Sequence, residues 1–405
     1  MNRINIEYIP LFELGEIITG KTPSTEKKEY WDGDVPFITP SDIDGYSMRY
    51  IYETERTISK KGVDSQKKTL LPKNAICISC IASIGKMCLT SKPSITNQQI
   101  NSIIPKPNYD YRYLFYALRF FSPYLQLIGG GTGSGTPIIS KNKFSKLKYP
   151  LCRDIDVEQR IADILSNYDS LLELNAKRIA ILEQMSNDLF IEWFVRFRFP
   201  GCSKNDIING VPKEWVYLPV QELCSVLRRG ISPEYDDEGL YTVISQKCIR
   251  GNVMDIRESR QQTKEYNPEL NIRDGDTVIC STGTGTLGRV GKVIGCYDKT
   301  TFDSHVTLAR AKENIGKHFL YGSLKNMQTW FMNMGIGSTN QQELYISTIR
   351  NAKILVPSDT DLLNRFERTI DPIHNEIGNL LKQNEILSKQ RDYLLPRLMS
   401  GKLEV

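Results

Sequence analysis

The sequence predicts a mixed α+β fold in which two globular α/β domains are separated by two long helices that form an antiparallel coiled coil. Three observations predict it. Similar segments recur in the same order after about 205 residues. Short apolar runs alternate with Gly- and Asn-rich loops inside each repeat. Each repeat is followed by a segment whose apolar residues recur every 3.5 residues. A chain of 405 residues has room for more than one core.

Composition places the chain among ordinary globular proteins, with 40% hydrophobic and 24% charged residues. No apolar stretch approaches the roughly 18 residues that a membrane span needs, and the N-terminus lacks a signal-peptide core. Nine cysteines without framework spacing suit a reducing compartment. We therefore expect a cytoplasmic protein.

Net charge is unevenly distributed along the chain. The total is +5, but residues 1–150 carry +7, residues 151–200 carry −3, residues 201–357 carry +2 and residues 358–405 carry −1. Basic segments of this kind suit a polyanionic partner, although many solvated surfaces look the same. These four segments are the predicted domain boundaries: two globular domains, each followed by a helical region.

The repeat is carried by several weak matches whose shared order makes chance an unlikely explanation. Each long segment is read as strands around apolar runs such as AICIS and TVICS, with a helix at YLFYALR and at FLYGSLK. The matched pairs are Leu11–Leu14 with Val220–Leu223, Ile76–Ser79 with Val278–Ser281, Ile84–Lys86 with Val290–Lys292, and residues 113–119 with 319–325.

The helical regions carry an apolar seam at alternating steps of four and three residues, held over four heptads, which predicts a coiled coil rather than two unrelated core helices. Asn175 and Asn384 are predicted to fix its register, and Ser186 and Arg391 to weaken it towards the C-terminal end. The seam residues are Ile161, Leu165, Tyr168, Leu172, Asn175, Ile179, Leu182 and Leu189, and then Phe366, Ile370, Ile373, Ile377, Leu380, Asn384, Leu387 and Leu394.

Some motifs resemble catalytic or cofactor sites, but the sequence around each of them does not fit such a site. The glycines of GTGTLG (283–288) precede another apparent strand, whereas a dinucleotide site needs a helix there. GGGTGSG (129–135) follows a helix, and no Asn/Asp-Pro-Pro-aromatic motif of methyltransferases is present. Cys77 and Cys80 have zinc-ligand spacing without a second pair. We expect no catalytic centre, no cofactor and no metal on this chain.

Polar residues cluster in the loops next to the predicted strands. Asn and Gln pair with adenine, Arg and Lys with guanine, and Ser, Thr and Lys suit phosphates, so the set predicts DNA binding, although turn or loop hydrogen bonding is the alternative for any one member. The candidates are Lys21, Thr22, Ser24, Ser41, Asn97, Gln98, Gln99, Ser134 and Thr136, and then Arg228, Arg229, Gln246, Lys247, Thr282, Thr284, His305, Ser338, Asn340 and Gln341.

These features together resemble the specificity (S) subunit of type I restriction–modification systems, which act in phage defence. The resemblance spans the chain and includes the two-unit architecture, TNQQINSII (96–104), the helical segment 157–194 and LLPRLMSGKL (394–403). It implies target recognition domains at residues 1–150 and about 212–357, each reading half of a gapped double-stranded DNA sequence.

The resemblance also implies partners and cofactors. Helical spacers at residues 154–196 and 359–400 would dock two methyltransferase (M) subunits, and restriction (R) subunits would join that complex. S-adenosylmethionine, and ATP with magnesium, would bind to the partner subunits. The second repeat has DSHVTLARA (303–311) where the first has TNQQINSII, so we expect the two domains to read different half-sites.

Three alternatives stay open on the sequence. The first is a specificity subunit of a type IIB or other defence-system methyltransferase, which only the partner genes would distinguish. The second is a self-contained DNA-modifying enzyme, which would bind S-adenosylmethionine or cleave DNA alone. The third is a coiled-coil adaptor for proteins, which would show no salt-dependent DNA affinity.

Overall fold

The computed structural model describes residues 6–43, 49–129, 137–203, 206–283, 285–295, 297–337 and 342–405. The chain divides into two compact units, and each unit combines one globular domain with parts of both long helices. Unit 1 comprises Met1–Lys177 and Lys382–Val405, and unit 2 comprises Arg178–Leu381. Within the described ranges, no helix is long and apolar enough to cross a membrane.

Among its described residues, unit 1 contains ten strands and five short helices before the first long helix. The strands are β1 (Ile6–Pro10), β2 (Gly15–Thr19), β3 (Trp31–Ile38), β4 (Tyr50–Ile51), β5 (Arg56–Ile58), β6 (Ile76–Ser79), β7 (Met87–Thr90), β8 (Ile95–Thr96), β9 (Ile100–Pro105) and β10 (Lys148–Cys152). The helices are α1 (Leu11–Leu14), α2 (Lys60–Asp64), α3 (Tyr111–Phe120), α4 (Ser122–Gly129) and α5 (Lys141–Lys146).

The main sheet of unit 1 has five strands in the order β2-β9-β6-β7-β4, and only β4 runs parallel to its neighbour. A three-stranded sheet β5-β3-β8 and the pair β1-β10 complete the domain. Helix α3 buries six consecutive residues, Tyr113–Leu118, in the core of this unit. The long helices contribute Ile161, Leu165 and Leu398 to the same core.

Unit 2 repeats this plan. Its strands are β11 (Ile207–Ile208), β12 (Val211–Pro212), β13 (Val216–Pro219), β14 (Cys224–Arg229), β15 (Tyr241–Ile244), β16 (Arg260–Gln262), β17 (Thr277–Cys280), β18 (Val290–Lys292), β19 (Thr300–Phe302), β20 (Val306–Ala311) and β21 (Lys353–Val356). The long helices are α6 (Ile155–Phe190) and α11 (Thr360–Met399), and the short ones are α7 (Val220–Leu223), α8 (Lys317–Asn326), α9 (Gln328–Asn333) and α10 (Ile346–Asn351).

The sheets of unit 2 have the order β14-β20-β17-β18 and β16-β15-β19, which matches β2-β9-β6-β7 and β5-β3-β8 strand for strand. An isolated parallel bridge from Val253 to Lys292 takes the place of β4. The predicted fold class, with mixed α/β domains in an internal repeat and two long helices, is confirmed. The predicted strands at AICIS and TVICS and the two predicted domain helices are present.

The alignment of the repeats made from sequence is wrong by one residue at β6 and β17. Ile76 lies opposite Ile103 in the ladder of β6 with β9. Thr277, and not Val278, occupies the same position opposite Ala309 in the ladder of β17 with β20. Ile76 therefore matches Thr277.

The turn after each of these strands corrects a second match. The Gly85 N–H donates to the Ser79 carbonyl at 2.9 Å, and the Gly288 N–H donates to the Cys280 carbonyl at 2.8 Å. Both glycines have positive φ, 88° and 75°. Gly85 thus matches Gly288 rather than Gly291, because the turn in unit 2 is longer.

The long helices pair in antiparallel fashion within each unit. In unit 1 the Asn175 Nδ2 donates to Asn384 Oδ1 at 2.9 Å and to Gln383 Oε1 at 2.8 Å. In unit 2 Arg178 pairs with Glu376 at 2.7 Å. Every predicted seam residue is buried or half-buried. The two seam asparagines, predicted separately as register devices, bond to each other.

Arg391 lies in the seam as a paired charge, and the weakening of the seam by this residue stays a prediction. Its side chain is buried, and its Nη1 lies 2.6 Å from Asp169 Oδ1. The Tyr116 hydroxyl donates to the other oxygen of Asp169 at 2.5 Å. Arg49 adds an ion pair to Glu173 at 3.0 Å. A buried polar network therefore joins α3, α6 and α11 in unit 1.

Removal of one member of this network should be costly, because the remaining charge stays buried without its closest partner. Among the described residues, Arg391 would keep only the exposed Asp392 as a partner. We expect Asp169→Leu to lower the free energy of unfolding by about 3 kcal/mol, and a second change, Arg391→Met, to recover much of that loss. Urea unfolding followed by circular dichroism measures both. The control is Glu385→Gln in the exposed pair Glu385–Lys389, which should change stability by less than about 0.5 kcal/mol. Equal effects of Asp169→Leu and the control would contradict the network's importance.

Candidate nucleic-acid interface

The candidate DNA-binding residues of unit 1 lie at one edge of the main sheet. Strands β2 and β6 flank β9 in antiparallel orientation, so the ends of β2 and β6 meet the start of β9. Thr19 lies opposite Asn101, and Ser79 lies opposite Ile100. The loops that leave this edge carry the predicted polar residues.

A tight turn at Asn97–Gln99 forms the centre of this edge. The Asn97 Oδ1 accepts the Gln99 N–H at 3.0 Å, and the Asn97 Nδ2 donates to Gln99 Oε1 at 3.0 Å. The Asn97 side chain is buried, and the backbone N–H of Asn97 donates to the Ile38 carbonyl at 3.0 Å. Gln98 is exposed, and its Oε1 accepts the Thr22 hydroxyl at 2.6 Å. Asn97 therefore holds the turn, while Gln98 projects from it.

Lys21, Ser24 and Ser41 are exposed in two loops of unit 1. The Lys21 N–H donates to the Thr96 carbonyl at 2.9 Å, which brings its loop against the turn. The Ser24 carbonyl accepts the indole N–H of Trp31 at 3.1 Å. Backbone contacts thus hold Lys21 and Ser24 in place and leave their side chains exposed.

In unit 2 the two predicted arginines at the end of β14 have different environments. Arg229 is half-buried, with Nη1 donating to Glu343 Oε1 at 2.5 Å and Nη2 to the Leu344 carbonyl at 2.7 Å. Arg228 is exposed. Arg229 therefore ties the strand end to the segment at Glu343, whereas Arg228 is accessible to a ligand.

Gln246, Lys247, Thr282 and His305 are brought together at the same edge of unit 2. The Thr282 hydroxyl lies 2.7 Å from His305 Nδ1 and 3.3 Å from Gln246 Oε1. Lys247 and His305 are exposed. The structure thus joins Gln246, Thr282 and His305, which lie far apart in the sequence, and Lys247 is the neighbour of Gln246 in the chain.

The turn at Asp303–His305 matches the turn at Asn97–Gln99. The Asp303 Oδ1 accepts the His305 N–H at 2.9 Å, and the Asp303 N–H donates to the Ile244 carbonyl at 2.9 Å. Burial raises the pKa of Asp303, and the nearby His305 opposes that shift. The turn is kept while the two side chains after its first residue change from Gln98 and Gln99 to Ser304 and His305.

Six predicted DNA-binding residues lie outside the described residues. They are Ser134, Thr136, Thr284, Ser338, Asn340 and Gln341.

Known proteins similar to this chain decide its family. A family model described as "Type I restriction modification DNA specificity domain" matches the chain twice, over residues 4–184 and 212–383. The chain belongs to this family. It is a type I restriction–modification specificity subunit with two DNA-recognition domains.

Individual relatives and a solved structure agree with this assignment. The MjaIX specificity subunit of Methanocaldococcus jannaschii is 28% identical over 404 residues, which cover 97% of this chain and 92% of the relative. The HindI specificity subunit of Haemophilus influenzae is 41% identical over 140 residues, 34% of this chain and 30% of the relative. The crystal structure of an S subunit from M. genitalium has a TM-score of 0.57 at 16% identity and covers 98% of this chain and 97% of its own, which shows the same fold.

Specificity subunits are non-catalytic and carry no cofactor. Of the motifs rejected in the sequence, GGGTGSG (129–135) lies outside the described residues apart from Gly129. Strand β18 follows GTGTLG and pairs antiparallel with β17, so this segment is a turn between strands. Cys77 and Cys80 are buried free thiols. Across the described ranges, no group of three or more His, Cys, Asp or Glu side chains could hold a metal ion.

The sequence search missed one pair of residues near the two recognition edges. Arg56 opens β5, and its guanidinium carbon lies 3.4 Å from the centre of the Trp31 ring. Arg260 opens β16 in unit 2 and lies 3.8 Å from the centre of the Tyr235 ring. Both arginines are exposed. Stacking holds each guanidinium plane in place, which suits recognition of phosphate or guanine. Their matching places in the two repeats are the signal that could have found them.

The roles of Asn97 and Gln98 can be separated by measurements of stability. We expect Asn97→Ala to lower the free energy of unfolding by about 1–3 kcal/mol, because it leaves the Gln99 backbone and side chain without their partners. Gln98→Ala should change it by less than about 0.5 kcal/mol, since this side chain is exposed. Urea unfolding of the two variants beside the unaltered chain makes the comparison. A Gln98→Ala effect as large as that of Asn97→Ala would contradict these roles.

Proposed function

We propose that this specificity subunit reads a bipartite DNA target with an unread gap, one half-site with each recognition domain. The proposed recognition domains are residues 1–150 and 201–357, and the proposed helical spacers are residues 151–200 and 358–405. One observation carries the proposal: both domains keep the same sheet edge and the same turn, but they present different side chains there. Two domains with the same backbone but different exposed side chains are suited to read two different half-sites.

The chemistry of the exposed residues suits base and backbone contacts. The amides of Gln98 and Gln99 suit adenine in the major groove, and the Lys21 ammonium suits a phosphate. In unit 2, Arg228 and Lys247 supply the positive charge, and the exposed His305 is part of the turn itself. Asn97 and Arg229 contribute indirectly, because they hold in place the loops that carry the exposed side chains.

The long helices are proposed to set the distance between half-sites and to dock two methyltransferase subunits, with restriction subunits joining through them. Large apolar side chains are exposed along these helices, and such residues favour protein contacts. They are Ile155, Leu171, Leu174, Ile181, Met185, Ile386 and Tyr393. S-adenosylmethionine, and ATP with magnesium, would then act on the partner subunits, in the cytoplasm.

Methylome sequencing of the host with and without this gene tests the proposal. Deletion should remove one methylated motif that is gapped and asymmetric. Persistence of all such motifs would overturn it.

Gln98→Ala should relax one base position in one half-site, with a loss of discrimination of about 1–3 kcal/mol there and no change in the other half-site. Lys247→Ala, as the contrasting variant, should weaken binding to all sequences alike. It should also reduce the slope of log affinity against log salt concentration by about one, which corresponds to one lost phosphate contact. Fluorescence anisotropy with single-substituted duplexes, at several salt concentrations and with the methyltransferase subunits present, measures both. A uniform loss of affinity for Gln98→Ala would contradict its proposed role.

Insertion of one heptad after Lys177 and another after Leu381 should keep the seam in register and lengthen both helices by about 10 Å. At about 3.4 Å per base pair, the gap in the methylated motif should grow by about three base pairs while both half-sites stay the same. A matched control inserts four residues in one helix alone, which should abolish activity because the seam loses its register. An unchanged gap in the heptad variant would overturn the spacer proposal.

A further inference from the structure

An exposed arginine of unit 1 lies at the same end of the sheet β5-β3-β8 as the turn at Asn97–Gln99. Arg56 opens β5 and lies opposite Phe37 of β3. The next residue of β3 is Ile38, whose carbonyl accepts the backbone N–H of Asn97 at 3.0 Å. Arg56 is therefore close to the backbone contact that holds this turn.

Unit 2 has an arginine at the same position. Arg260 opens β16 and lies opposite Val243 of β15. The next residue of β15 is Ile244, whose carbonyl accepts the backbone N–H of Asp303 at 2.9 Å. Because Asp303 begins the turn that matches Asn97–Gln99, Arg260 occupies in unit 2 the place that Arg56 has in unit 1.

The aromatic ring under each arginine has a matching place as well. The guanidinium carbon of Arg56 lies 3.4 Å from the centre of the Trp31 ring. That of Arg260 lies 3.8 Å from the centre of the Tyr235 ring. In both units the aromatic residue pairs, through the backbone, with the residue two positions after its arginine. The whole stack, and not the arginine alone, recurs in the two repeats.

The stacked guanidinium groups keep their N–H donors available. Stacking occupies a face of the guanidinium, whereas its five donors lie in the plane of the group. Neither Arg56 nor Arg260 forms a side-chain hydrogen bond or an ion pair with another described residue. Arg229, by contrast, donates to Glu343 and to the Leu344 carbonyl. The two stacked arginines are thus held in place and have donors ready for a ligand.

The recurrence of this stack indicates which part of the DNA it suits. The side chains of the two turns differ, with Gln98 in unit 1 and Ser304 in unit 2, as two different half-sites require. The arginines are the same in both units. Backbone phosphates are present beside every base sequence, and contacts to them orient a protein without reading bases. A feature common to both domains suits this common part of the ligand.

We propose that Arg56 and Arg260 bind backbone phosphates of the DNA, one beside each half-site, and hold both recognition domains on their half-sites in the same orientation. This inference rests on the proposed function, in which each domain reads one half-site. The planar guanidinium places two parallel N–H donors against phosphate oxygens, and the ring beneath it keeps that plane fixed.

Removal of the positive charge from each arginine tests the proposal in the complex of the full-length chain with its methyltransferase subunits. Arg56→Met and Arg260→Met should each reduce the slope of log affinity against log salt concentration by about one. Each should weaken binding about 3- to 10-fold at physiological salt, and equally for every single-base substitution in the target. Arg56→Lys and Arg260→Lys should keep the slope, because the charge stays. Fluorescence anisotropy measures all four.

Two matched controls remove a positive charge from the opposite end of the main sheets. Lys106 follows the last residue of β9, and Lys312 follows the last residue of β20, whereas the turns precede these strands. Both lysines are exposed. Lys106→Met and Lys312→Met should leave the slope and the affinity unchanged. Thermal unfolding of each variant shows that it is folded.

Unchanged slopes in folded Arg56→Met and Arg260→Met would overturn the proposal and leave these side chains as covers of the aromatic rings. A loss of affinity that depends on one base would also overturn it, because the contact would then be to that base. An effect of only one of the two arginines would contradict their matched role.

Failure of the proposed function itself is seen separately, in the unaltered complex. That function fails if a duplex with the gene-dependent gapped motif binds no more tightly than a scrambled duplex of equal length. The salt slopes of the variants are measured on both duplexes, so they decide the phosphate contacts in either case.

Discussion

The antiparallel pairing of the two long helices is the constraint on which the rest of each unit depends. Each helix carries an apolar seam that it cannot bury alone, and each is the other's partner. The register is fixed by a polar contact, because Asn175 and Asn384 are costly to bury unless their amides meet. The helices α3 and α8 pack on this pair, and they follow directly on β9 and β20, which lie inside the main sheets.

The two repeats share the same sheet edge and the same backbone turn, but they differ in the side chains exposed there. A turn of this type needs an acceptor in its first side chain, which Asn97 and Asp303 both provide through Oδ1. Because this acceptor bonds a backbone N–H, it does not itself fix which side chains occupy the next two positions. Variation at Gln98 and Ser304 then changes the exposed surface without disturbing the strands that support it.

The sequence predicted the fold class, both long helices and the paired domain elements, because the seam period and the repeat are strong signals. It placed β6 and β17 one residue out of register, since every residue of both strands is buried and no alternation marks a face. For the candidate site it listed Asn97 with Gln98, and Arg229 with Arg228. Composition cannot separate a polar side chain that bonds within a loop from a neighbour that faces solvent, because only the tertiary contacts distinguish them.

The contrast between the two units follows from the energetics of buried charge. In unit 1 each member of the network compensates another, so replacement of one member alone leaves an unpaired buried group at a cost of several kcal/mol. A stable alternative must therefore change the set together. Unit 2 does so throughout, and the residues that match Arg49, Tyr116, Asp169, Glu173 and Arg391 are Asn252, Gly322, His374, Gly378 and Ser186. One repeat thus joins its domain to the helices through this network, and the other joins them through different polar pairs, Asn252 with Glu183 at 3.0 Å and His374 with Asp274 at 2.8 Å.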